Sequence, residues 1–373
     1  HQTLSNLGSL NLEDNMVNGK IPKSTGQLTM LCTLNLLQNN WEDTMTNNHF
    51  HNLTNLLSFS VSCNTNSFAL KVTQDWIPPF KDLLHIQICD SQVGPTFPNW
   101  LKNQTSLSEV ILENDGISGE IPHWLYNIFS QILQLDLSHN KISGCLPIER
   151  NFSKSFFVNL AFNQLKGSIP VWSVVVPLDP NNNLLSRTIP DNIGEKMSNL
   201  FFLDLSNNHL NGSLPLSINR KKNLSYLDLS NNYLTGEIPI FYWYAELMRH
   251  RPIQKQFVRW NFNFNILSSL SFLELNNNNL SADLSSAFPN CTNLQSLSLG
   301  NNRFFWSMPK EITTNLRSLS ELMLRGNKLT GSIPEDLSDR SFSPCIGSAE
   351  TYFIYLVEEA THSFPPLYPT RGI

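Results

Sequence analysis

The side chains able to do chemistry in this chain are its carboxylates, aromatics, histidines and cysteines, and their spacing sorts them. Five acids, Asp136, Asp179, Asp204, Asp228 and Glu274, recur at related positions. Aromatic residues, Phe157, Phe202, Tyr226 and Phe272, stand two residues before the acid or its equivalent. Residues two apart lie on one face of a strand, so the two sets would form an acidic stripe beside an aromatic one. Aromatic rings supply contact area at small entropy cost, and carboxylates select basic or hydrogen-bonding groups. These nine residues are the candidates for ligand recognition. The competing reading is that Leu-Asp-Leu-Ser is simply the common wording of a repeat.

Other chemistry finds less support. His49 and His51 form an HxH pair, but no third ligand clusters with them, so no metal site is expected. The sequence has no GxSxG, no HExxH, no glycine-rich phosphate loop and none of the kinase catalytic motifs. The expectation is a non-enzyme that uses no cofactor. The cysteines at 32, 63, 89, 145, 291 and 345 show no CxxC spacing. Cys63 and Cys89 fall near the ends of neighbouring strands, where a disulfide and two separate thiols are both open. Sequons at Asn52, Asn103, Asn151, Asn211, Asn223, Asn279 and Asn290 are candidate glycosylation sites and as a group favour a secreted route.

The elements that would position these residues are repeats. Leu203 to Pro215 reads LDLSNNHLNGSLP, and Leu227 to Pro239 reads LDLSNNYLTGEIP, 24 residues later. With the asparagine as marker, copies fall at Asn15, Asn39, Asn64, Ser91, Asp115, Asn140, Asn163, Asn183, Asn208, Asn232, Asn278, Asn302 and Asn327. Each unit is too short to hide its own apolar face and must stack on its neighbours. Leu200, Leu203 and Leu205 are expected to point inward, with Phe202 and Asp204 outward. The stacked strands would form a parallel sheet, and a ladder of marker asparagines would satisfy backbone groups where the chain turns. Ser91 and Asp115 are expected to substitute in part, because each keeps an oxygen acceptor. Glycines and the Ile-Pro steps at 121–122, 238–239 and 333–334 bend the chain afterwards.

Repeats occupy 1–239, about ten copies, and resume over 267–335 with three more. Between them, 240–266 carries Phe241, Tyr242, Trp243, Tyr244 and the basic residues Arg249, Arg251, Lys255 and Arg259. The step of 46 residues across it is near two periods, which favours a degenerate repeat over a functional insertion. In copy eight, Pro180 replaces a strand leucine and is expected to flatten the sheet locally. Trp76 to Phe80 is expected to pack on the outer side. A tail, 336–373, has no periodicity. Net charge of −5 with 15% charged residues argues against nucleic acid and against an anionic membrane surface.

The LxxLxLxxNxLxGxIP wording over roughly 4–335 resembles the plant-specific class of leucine-rich repeat. That resemblance implies an α/β repeat solenoid, with a parallel sheet on the concave face and short 3-10, helical or irregular segments on the convex face. The stretches 224–334, Ser118 to Asn127 and LSHNKISGCLP at Leu137 to Pro147 resemble extracellular receptor-like proteins. Such proteins recognise fungal xylanase or confer resistance to leaf and scab pathogens. Cys345 and Thr351 to Val357 resemble the segment leading into their non-repeat island. What this implies is a glycosylated ectodomain at the extracellular face of the plasma membrane, a protein or peptide ligand, and a partner receptor kinase. The sequence opens without a signal peptide and holds no apolar run near the ~20 residues that span a bilayer. The expectation is therefore a fragment or incomplete gene model of a membrane-anchored parent. Alternatives are a secreted leucine-rich-repeat inhibitor of cell-wall-degrading enzymes, or a truncated product without function.

Overall fold

In a computed structural model of the chain, the described residues are 4 and 6–332, except 66, 129–130, 148, 151–155, 174, 221–222, 239–268, 283, 285–290 and 308–315. Strand pairing follows the repeat. A 15-stranded parallel sheet runs from Ser9–Asn11 to Glu321–Met323, with thirteen strands in line and two beside them. The thirteen correspond one to one with the marked copies. Leu200, Leu203 and Leu205 are buried, and the equivalent apolar residues of the copies from Leu31 to Leu316 join one continuous core. Burying such a side chain contributes about 1.5–3 kcal/mol, which is why a short unit folds only against a neighbour.

The asparagine ladder closes each turn. Asn208 Oδ1 accepts the Leu185 N–H of the preceding copy at 2.9 Å. Its amide nitrogen donates to Pro180 O at 3.0 Å, Leu205 O at 3.3 Å and Ser206 O at 3.0 Å. Asn140, Asn163, Asn183, Asn232, Asn278, Asn302 and Asn327 repeat the arrangement. Each amide thus satisfies donors and acceptors of two copies at once.

Two rungs depart from the regular ladder, the first against expectation and the second in keeping with a partial substitution. Asn64 is exposed. The residue registered with Asn39 is Cys63, whose thiol is buried and donates to Trp41 O at 3.0 Å. The third marker is therefore displaced by one position, because the strand Thr33–Met45 and its partner shift register between Leu36 and Asn39. At the fifth rung, Asp115 Oδ1 accepts the Ser91 N–H at 3.2 Å, while Oδ2 is buried without a hydrogen-bond partner. Keeping an acceptor is not enough there, since the ladder also needs a donor.

A second parallel sheet, absent from the sequence reading, follows the turn. Its seven strands run from Ser118–Glu120 to Asn279–Leu280. Glycines at 119, 144, 167, 212 and 236 have φ between +76° and +86°, which a side chain rarely adopts, and there the chain bends toward the convex side. Convex segments are short: α-helices at His123–Ile128 and Ile193–Lys196, and 3-10 turns such as Asn99–Asn103. Phe80 is buried and packs edge-on against Trp76 and Trp100, whereas Ile77 is exposed.

Neither irregularity interrupts the sheet among the described residues. Pro177 and Leu178 pair with Phe202 and Leu203, and a register shift lies on the other side, between Phe156 and Val158. Across the 46-residue step, Tyr226 pairs directly with Phe272, and Asn278 bonds to Leu229 O and the Leu234 N–H. The aromatic and basic residues of 240–266 lie outside the described residues, as does the tail 336–373.

Candidate ligand-recognition face

Strand alternation puts the candidate residues on the concave side of the main sheet, and register decides which of them meet. Phe202, Tyr226 and Phe272 are paired across adjacent strands, as are Asp204, Asp228 and Glu274. The Phe202 and Tyr226 rings stack at 4.4 Å, and those of Tyr226 and Phe272 lie 5.9 Å apart. Asp179 extends the acidic row by one strand. Phe157 and Asp136 stand apart. Pro177 lies between Phe157 and Phe202 in strand order, and Asn159 between Asp136 and Asp179. Asn159 links the two regions by donating to Asp136 Oδ2 at 2.9 Å.

The acidic row is more buried than an exposed recognition stripe would be, Asp204 being only 8% exposed. Backbone turns supply some donors: Ser206 and Ser230 N–H bond Asp204 and Asp228 Oδ1 at 2.9 and 2.8 Å. Asn181 Nδ2 bonds Asp179 Oδ1 at 2.6 Å and Asp204 Oδ2 at 3.2 Å. Among the described residues, no lysine or arginine forms an ion pair with these acids. Burial, reinforced by the neighbouring Asp204 charge, therefore pushes the Asp179 carboxyl up to about 8 and that of Asp228 up to about 7. Burial alone raises Asp204. Glu274 is pushed to about 7, by burial first and then by Glu321. The Tyr226 hydroxyl is also raised, through burial and the surrounding acids. Near neutrality this row is a partly protonated ladder able to donate as well as accept hydrogen bonds.

Two residues outside the sequence candidates reach the end of this row from the neighbouring column. Ser296 Oγ lies 2.8 Å from Glu274 Oε1 and 2.9 Å from Glu321 Oε2. A hydroxyl has one proton to donate, so both contacts are hydrogen bonds only when a carboxyl also carries one, which suits the raised Glu274. The signal was register alone: Ser296 and Glu321 continue the column of Phe272 but are neither aromatic nor at the acid position.

The remaining candidates are structural or separate. His49 is buried and serves a capping box: Nδ1 accepts the Thr46 N–H at 2.9 Å and Nε2 lies 3.1 Å from Ile21 O. His51 Nδ1 contacts Asn48 O at 2.8 Å. Cys63 and Cys89 are both free thiols; Cys89 pairs with Ser62, so the two cysteines are one residue out of step on adjacent strands. Asn52, Asn103, Asn211 and Asn223 are exposed and Asn279 is half-buried, while Asn151 and Asn290 lie outside the described residues. No described helix is long and apolar enough to cross a membrane.

Comparison with known proteins agrees with this architecture. Residues 199–220, 223–243 and 318–339 match the Leucine Rich Repeat family. The chain is 33% identical over 130 residues to Receptor-like protein EIX1 of Solanum lycopersicum, which covers 34% of this chain and 12% of that one. It is 28% identical over 204 residues to Receptor-like protein 1 of Arabidopsis thaliana, covering 52% and 18%. The chain thus spans less than a fifth of the length of these relatives. Among solved structures it is similar to a TDR receptor, with TM-score 0.64 and 22% identity over 90% of this chain and 58% of that one. It is also similar to the Arabidopsis receptor kinase HAESA ectodomain in complex with an IDA peptide hormone, with TM-score 0.59 and 24% identity over 89% and 59%. At these identities the structural likeness speaks to the fold.

Proposed function

We propose that the chain, which is similar to plant leucine-rich-repeat receptor-like proteins, is part of the ligand-recognition ectodomain of a cell-surface receptor-like protein. Its ligand is a protein or peptide, and its role is binding, without catalysis. The observation that carries this reading is the double row on the concave face, where three aromatic rings run in register beside a carboxyl row. Rings held by neighbouring strands need little ordering when a partner docks, and partly buried acids favour groups that can hydrogen-bond. The wider role is pathogen perception in defence, signalled through a partner receptor kinase. What the relatives named receptor-like proteins support is the receptor role itself.

The test is selection of a random peptide library on the immobilised chain, in parallel with a Phe202→Ala/Tyr226→Ala/Phe272→Ala variant. Peptides enriched by the parent should lose at least tenfold in affinity for the variant, about 1.4 kcal/mol. Equal capture by a variant with unchanged circular dichroism would remove the concave face from the proposal.

A further inference from the structure

Regular rungs of the asparagine ladder end in an amide nitrogen held against carbonyl oxygens. Asn140 Nδ2 reaches Leu112, Leu137 and Ser138 O at 2.7, 3.1 and 3.0 Å, and Asn163 repeats the pattern. The rung before Asn140 is Asp115. Its Oδ1 does what an asparagine oxygen does, accepting the Ser91 N–H. Its Oδ2 corresponds to the amide nitrogen, and it is buried with no partner. An ionised oxygen there is a charge without a donor, at a corner where other rungs face carbonyls. A carboxylic O–H there is a donor. We propose that Asp115 stands in the ladder as the neutral acid, its Oδ2–H taking the place of an amide N–H, so that the joint between the copies of Ser91, Asp115 and Asn140 is held by a proton and loosens when that proton leaves.

The surroundings favour this. Ser91 offers no help to Oδ2, because its hydroxyl donates to Cys89 O at 2.9 Å. Burial first, and then the neighbouring Asp90 and Glu113, oppose ionisation of Asp115 and hold its carboxyl well above the usual range, against the lowering pull of the Ser91 N–H. The Cys89 thiol is buried beside the same acids. A cavity of about 500 Å³ opens along this joint, lined by Asp90, Asn114, Asp115, His139 and Lys141 among others. Lys141 is exposed and makes no ion pair with Asp115. The joint is also tight: a Cβ on Gly94 would collide with the Gly116 carbonyl, and the Val93 and Gly94 N–H groups both bond Asp115 O, at 3.1 and 2.9 Å. An acid whose folded pKa is raised gives full stability in acid. It loses that contribution as pH climbs from its unfolded value, about 3.9, to the folded one.

Hydrogen exchange of the full chain from pH 5 to 8, corrected for intrinsic rates, reads the joint directly. Protection of the Ser91, Val93 and Gly94 amides should fall at least about tenfold as pH rises. The Ile142 amide, bonded to Asn163 Oδ1, is the reference rung in the same molecule and should hold steady. In Asp115→Asn the Ser91 region should become as insensitive to pH as Ile142. Equal pH dependence at both rungs in the parent chain would overturn the proposal even if that variant failed to fold. So would recovery of protection at pH 8 on adding calcium chloride, because a metal-bound carboxylate would then explain the buried oxygen.

Discussion

Two ladders run side by side through the middle copies, four residues apart in sequence, as at Asp204 and Asn208. Both stack one polar side chain per copy at strand spacing; the amides are mostly buried and the acids partly so. An amide carries donor and acceptor together, so each asparagine closes bonds in two directions and the row has no charge to bury. A carboxylate only accepts, so the concave row leaves part of its burial uncompensated and answers by holding protons. The same geometry therefore gives a rigid frame on one side and a titratable face on the other. Asn159 shows the boundary between them: an amide in the acid row, it accepts the Ala161 N–H at 3.1 Å and donates to Asp136.

The comparison breaks most sharply at Asn208. Asn208→Ala strands the Leu185 N–H and the carbonyls of Pro180 and Leu205, and should destabilise the chain by about 3 kcal/mol. Urea unfolding followed by circular dichroism would report it, and a loss below about 0.5 kcal/mol would mean the ladder is dispensable.

Asp204→Asn should do the opposite, because it gives the acid row what Asn159 already has. A gain of about 1–2 kcal/mol is expected at pH 8. The sign follows from the raised pKa values of Asp179, Asp204, Asp228 and Glu274. The contribution of these four acids to stability is full below about pH 4 and declines as pH rises toward 7 to 8, so the advantage of the variant should vanish at pH 4. Thermal melts at both pH values decide it; an equal gain at both would tie the effect to packing.

The smallest effect belongs to Ser296→Ala, about 1 kcal/mol, since it removes one hydroxyl shared by Glu274 and Glu321. Carboxyl titration by NMR should show Glu274 altered, with Asp179 unchanged. A change spread along the whole row would show that the acids titrate as one unit.

Much of this was legible because a repeat states its rule many times. The inward leucines, the strand count and the ladder from Asn140 onward follow from period and alternation. Failures occurred where a rung departs from the rule. Asn64 satisfies the spacing but not the register, and Cys63 fills the rung because a strand irregularity shifts the pairing by one. Asp115 reads as a partial substitute because it keeps an acceptor; its orphaned Oδ2 appears once the neighbouring copy is in place. Ser296 and Glu321 carry no pattern of their own; register puts them in the column of Phe272, from which Ser296 bonds Glu274. The second sheet was missed because glycine-containing segments look like bends when each is considered singly.

By itself the sequence determined the stacking axis, the inward face and the identity of the two polar columns, since these depend on local periodicity repeated along the chain. Tertiary structure alone decided which acids are desolvated, which rungs are complete, and that the strands of Tyr226 and Phe272 are neighbours despite the residues between them. Those properties belong to contacts between copies, and burial or a missing donor exists only after the copies have docked.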